Sequence, residues 1–182
     1  MTTPADVASA LEAFPAVVRT LLEPLDPATL IVRPEPGEWS VHEVIGHLIA
    51  TDEGAFEQRV QGILDGTPEI PGFSPWAAIN ERDFNAVTLP DLLAEFDASR
   101  QRVVPFVAAL TDEQLTLTAD YPGFGTFAAG DFVFEWPFHD HEHLQQILGR
   151  DGQRTARGGG LHLVRDASVA EAIDDGVAHG TT

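Results

Sequence analysis

A chain of 182 residues can bury a core of its own, and the absence of cysteine excludes disulfides, a protein thiol nucleophile and thiolate metal ligands. Any bound metal would therefore rest on imidazole, carboxylate or water. Ten arginines, no lysine and 29 acidic residues leave a net charge of −19, a field that repels nucleic-acid phosphates and anionic lipid surfaces, so neither is an expected partner.

The N-terminal stretch "MTTPADVASALEAFPAVV" has an acid before its first arginine and lacks the basic start and long apolar run of a signal peptide. No apolar run approaches the ~20 residues of a membrane span. The expectation is a soluble, cytoplasmic protein. Val7, Leu11, Phe14, Val18, Leu21 and Leu25 recur at three- and four-residue steps, which predicts a helix with one buried stripe, capped by Thr3 with Pro4 in its first turn. Pro15 should kink or break it.

"PEPGEWS" reads as an extended connector, and Ser40 with Glu43 fits a capping box that opens a second, long helix. Its stripe is Val41, Val44, Ile45, Leu48, Ala55, Phe56 and Ile63, ending near Leu64 at "DGTPEIPG". His47 lies on the flank of that stripe, ~60° round from Val44, where a side chain can look into a bundle near its rim. Residues 66 to 88 are rich in Pro and Gly and predict a long loop with one short helix, of the kind that often serves as a lid. A third helix is expected from Thr88 to Leu110, with Leu89, Leu92, Leu93, Phe96, Val103 and Val107 buried and Pro105 bending it. "YPGFGTFAAGD" reads as a turn-rich link, and "FVFEWPFHDHEHLQQIL" as the fourth helix.

Four helices without an alternating strand pattern predict an all-α four-helix bundle as a single domain over residues 1–149. Residues 150–182 hold four of the ten arginines and a triple glycine, and read as a loosely structured tail with at most a short helix.

The segment "HDHEH" concentrates the candidate chemistry. His139 and His143 are four apart, so on a helix they share a face and can share an ion, whereas His141, ~200° round from His139, faces elsewhere. On spacing alone the segment reads as either a hydrated acidic face or a metal-binding pair. A third ligand would come from another helix, and His47 is the candidate; His42, at the helix start, reads as exposed, and His162 and His179 fall in the tail.

Two stretches carry a resemblance to a known family. "PEPGEWSVHEVIGHL" resembles the opening motif of the DinB-like superfamily, and "HDHEHLQQI" its closing motif, HDxxHxxQI. They stand about 90 residues apart, with "GFGTF" before the second, and the resemblance spans roughly residues 5 to 149. It implies a four-helix bundle that binds a divalent metal, zinc or nickel first, iron or manganese next, through His47, His139 and His143. Asp140 matches the motif too and is expected at the surface or behind a ligand. The resemblance also implies chemistry on a small molecule, as in relatives that are transferases and isomerases using low-molecular-weight thiols such as bacillithiol or mycothiol, and it implies a homodimer. Metal-dependent hydrolysis and a non-enzymatic metal or small-molecule binding module are the alternatives. No general base stands out: Glu43 is committed to the capping box, Glu142 and Asp140 read as surface groups, and Tyr121 is uncommitted.

Overall fold

The computed structural model describes residues 2–149. The expected tail, with His162 and His179, lies outside the described residues. α1, Pro4–Leu22, opens on Thr3, whose hydroxyl accepts from the Asp6 N–H at 3.2 Å while Asp6 accepts from the Thr3 N–H at 2.8 Å. The helix runs unbroken through Pro15, so of the expected kink or break the break does not occur. Pro15 is itself buried between Leu11 and Val18, so its ring contributes packing where its missing N–H costs one bond. The buried stripe closes on Leu22; Leu21, off that stripe, and Leu25, beyond the helix end, are exposed.

A short α2, Pro27–Leu30, capped by Asp26, leads to the connector. The second long helix is built in three parts: α3, Val41–Thr51; a π-helical turn, Asp52–Glu57; and α4, Gln58–Leu64. Its start is the expected capping box, with the Ser40 N–H donating to Glu43 at 2.8 Å and the Glu43 N–H donating to Ser40 Oγ at 3.1 Å. The π turn was not expected; such wider turns occur mostly as single turns inside α-helices, frequently at functional sites. At its centre Gly54 lets the Phe73 ring lie on the backbone, where a Cβ would meet that ring at 2.8 Å.

The 66–88 region contains α5, Pro75–Asn80, capped by Ser74, and a 3-10 turn, Phe84–Ala86, capped by Asp83. α6, Leu89–Ala108, opens on Thr88 as expected, and α7, Asp112–Leu115, follows. The turn-rich link turns out to hold an antiparallel hairpin of β1, Thr118–Tyr121, and β2, Gly125–Ala128, with Ala119 opposite Phe127. Four-residue strands are too short for an alternating pattern to register, and the turn between them depends on Gly123 and Gly125, whose φ angles of 88° and 107° suit a residue without Cβ. β2 runs straight into α8, Ala129–Ile147, the fourth bundle helix.

α1 packs on α6 and α8, α3 packs on the same two helices, and α4 packs on α8. The core is divided into two apolar clusters. One gathers Leu11, Phe56, Val60, Val103, Val107, Phe132 and Trp136. The other gathers Val18, Leu22, Val44, Leu48, Leu92 and Phe96. Each of the three helices other than α1 passes from one cluster to the other through polar residues: Thr51 and Asp52, Ser99 and Arg100, and His139, Asp140 and His143, all buried. A polar layer thus crosses the middle of the bundle.

Candidate metal centre

His47 stands two turns into α3, and His139 and His143 sit one above the other on α8. The contact between α3 and α8 brings the three rings together. His47 Nε2 lies 3.1 Å from His139 Nε2, His143 Nε2 lies 3.1 Å from His139 Nε2, and one donor atom from each ring falls within 4.8 Å of the others. His47 is wholly buried, His139 is 6% exposed and His143 9%.

These contacts set a chemical requirement. Burial pushes His143 down to about 4, and burial together with the neighbouring imidazoles pushes His47 and His139 well below the ordinary histidine value. Neutral rings that close together direct nitrogen lone pairs at one another with too few protons between them. A cation at the centre resolves this. With metal–nitrogen bonds of about 2.0–2.1 Å, angles between tetrahedral and octahedral place two donors about 2.9–3.4 Å apart, a range that includes both short contacts. The residues therefore fit a divalent ion held by three imidazoles. His143 Nδ1 donates to Gln146 Oε1 at 2.8 Å, which keeps the lone pair on Nε2. The Nδ1 atoms of His47 and His139 are buried without a hydrogen-bond partner among the described residues.

Aromatic rings enclose the triad. Trp39 lies 4.7 Å from His47 and 6.3 Å from His143 between ring centroids, and Trp76 from α5 packs against Trp39 at 5.2 Å. Phe56, stacked on Trp136, presents its ring to His139 at 5.3 Å. Trp39 thus joins the opening motif to the site, and the Pro- and Gly-rich segment reaches it through Trp76.

Two expectations are corrected. His42 is buried, not exposed: the 3-10 turn folds over the start of α3, placing the Phe84 carbonyl 3.3 Å from His42 Nδ1 and the Phe84 ring against Gly46. It is not part of the triad. For Asp140 the surface reading is overturned and the other, a place behind the histidines, is left, since it follows His139, is 2% exposed and takes both terminal nitrogens of Arg100, at 2.7 and 2.6 Å. Glu43 keeps its capping role and also accepts from Arg33. His141 and Glu142 are exposed. Tyr121 is buried, and its hydroxyl accepts from Arg59 at 3.1 Å.

The residues missed by the sequence reading are Asp52, Ser99, Arg100 and Trp136. Asp52 accepts from Ser99 Oγ at 2.8 Å and from Trp136 Nε1 at 3.0 Å, and pairs with Arg100 Nε at 3.1 Å, an ion pair rather than an aligned hydrogen bond. Burial pushes its carboxyl up to about 6, with Arg100 opposing the rise and Asp140 adding to it. A signal was present: Asp52 lies four residues from both Leu48 and Phe56, Arg100 lies four from Phe96 and three from Val103, and Asp140 four from Trp136. Each occupies a place that its apolar stripe skips.

Residues 10–147 match the DinB superfamily. Among solved structures the chain is similar to YfiT from Bacillus subtilis, described as a probable metal-dependent hydrolase with an unusual four-helix bundle topology; identity is 19%, the TM-score is 0.70, and the alignment covers 84% of this chain and 87% of that one. No curated protein matches the chain. None of the described helices is long and apolar enough to cross a membrane.

Proposed function

Because the chain belongs to the DinB superfamily, we propose that it is a metal-dependent enzyme acting on an electrophilic small molecule, with His47, His139 and His143 as the ligands of one divalent ion. The observation that carries this reading is the convergence of three buried, neutral imidazoles from two helices on one point. Three protein ligands leave at least one position free, as in catalytic rather than structural zinc sites. An ion there would acidify a coordinated water or thiol and so supply a nucleophile near neutral pH.

Around it the chain's own groups bind and orient. His143 is held in one tautomer by Gln146, and Trp39 and Trp76 form an apolar wall that limits water and offers flat surface to a substrate. Hydrolysis is the first reaction to test, supported by the description of YfiT. Transfer of a low-molecular-weight thiol is the second: with no cysteine in the chain, a sulfur nucleophile has to arrive as a cosubstrate. An all-imidazole donor set suits zinc, nickel, copper and iron better than magnesium or calcium.

The test is the metal content of the purified chain, followed by a screen of activated esters and epoxides in water alone and with added thiols. We expect about one ion per chain, lost in H47Q, H139Q and H143Q. Metal content unaffected by any of the three substitutions would overturn the site assignment. Turnover only with thiol present would select transfer over hydrolysis.

A further inference from the structure

The two helices that carry the histidines are also joined one layer deeper, and all the groups that join them are buried. Asp52 continues the helix of His47, five residues on, and Asp140 directly follows His139. Arg100, from α6, lies between the two acids. Its terminal nitrogens take both Asp140 oxygens, at 2.7 and 2.6 Å, and its Nε edge faces Asp52 Oδ2 at 3.1 Å. The guanidinium carbon sits 4.8 Å from the Phe96 ring and 5.9 Å from the Phe14 ring of α1, so all four bundle helices meet at this one side chain. Trp136, three residues before His139, makes a second tie from α8 to Asp52 at 3.0 Å.

A planar fork held at fixed distances on both edges sets the spacing of two helices more sharply than methyl groups do, since apolar contacts adapt by repacking. That matters because donors from different helices must meet a metal within a few tenths of an ångström. Building on the metal-centre reading above, we propose that Arg100, through Asp52 and Asp140, is a positioning residue that holds His47 at coordinating distance from His139 and His143. It touches neither metal nor substrate. Its effect is read in the affinity and geometry of the bound ion.

Cobalt(II) is the probe, with affinity from chelator competition and geometry from its visible bands. D140N, which leaves Arg100 paired with Asp52, and R100M should each weaken cobalt binding about 10–100-fold and shift or weaken the bands. R59M removes the other deeply buried arginine, which holds Tyr121 and the Pro71 carbonyl; it should lower the melting temperature and leave the bands unchanged. Should R100M not fold, D140N carries the test alone. A folded D140N with parental cobalt affinity and spectrum would overturn the proposal. Cobalt binding by the parent that H139Q does not change would instead remove the metal centre, and this proposal with it.

Discussion

His141 lies between two buried histidines yet faces solvent, because it sits about half a helical turn from each. Alanine at His139 or His143 should remove most bound metal, whereas H141A should leave it intact; elemental analysis of the three variants decides this, and equal loss in all three would contradict the helix geometry. The buried histidines make stability depend on pH. In the unfolded chain an imidazole takes up its proton near 6.5, while folded His143 does so at about 4, so acidification across that window favours unfolding. His143 alone accounts for about 3 kcal/mol over those units, and His47 and His139 act in the same direction. Asp52 works oppositely, because between 3.8 and about 6 the folded chain holds a proton that the unfolded chain has lost. Asp140, also raised, adds to that opposition. Comparing the parent with an H47Q/H139Q/H143Q chain isolates the imidazoles. In metal-free urea titrations between about pH 7 and about pH 4.5, the parent should lose about 3 kcal/mol or more relative to the variant. Parallel pH profiles would contradict the buried neutral state.

The long helices were legible in the sequence from their apolar stripes, reinforced at the first two by a cap. Thr3 and Ser40 cap where expected, and α6 starts one residue after Thr88 and ends within two residues of its predicted limit. The π turn was not legible, since widening a helix by one residue shifts the stripe no more than an ordinary irregularity in apolar spacing. The hairpin was hidden by its length. At the site, histidine spacing allowed a pair without selecting it, the flank of the second stripe offered His47 as a third candidate, and the family resemblance singled out the three together. The buried acids and arginine escaped because a polar residue in a stripe's gap looks solvated until its partners on other helices are known. The Ser40 cap gives the prediction at this scale. S40A should cost about 1 kcal/mol in urea unfolding, since it removes the acceptor for the Glu43 N–H and the donor to Asn85. Metal content should stay at the parental level, because His47 lies beyond the first helical turn. Loss of metal in S40A would mean that the cap sets the position of the ligand as well as the start of the helix.

Across the whole molecule, 29 acidic residues face ten arginines, and two of the described arginines, Arg59 and Arg100, are fully or almost fully buried. Salt weakens exposed pairs such as Arg19–Asp97 and Arg82–Glu95, but it also screens a much larger surplus of like charge. The surplus decides the sign. Raising sodium chloride from about 20 mM to about 0.3 M should raise the melting temperature by several degrees, and a fall would show that the exposed pairs outweigh the net repulsion. The polar layer between the two apolar clusters bears on how such a bundle finds its alignment. Apolar stripes repeat, so two helices can slide past one another by a turn, ~5.4 Å, and still cover much of the same oily surface. Arg100 and its two acids do not repeat. A slip of one turn by α8 would leave a guanidinium in the interior without its bidentate partner and a carboxylate beside hydrocarbon, at a cost of several kcal/mol. The layer that gathers the histidines thus also acts as a register mark, which makes a bundle slipped by one turn unstable against the native alignment.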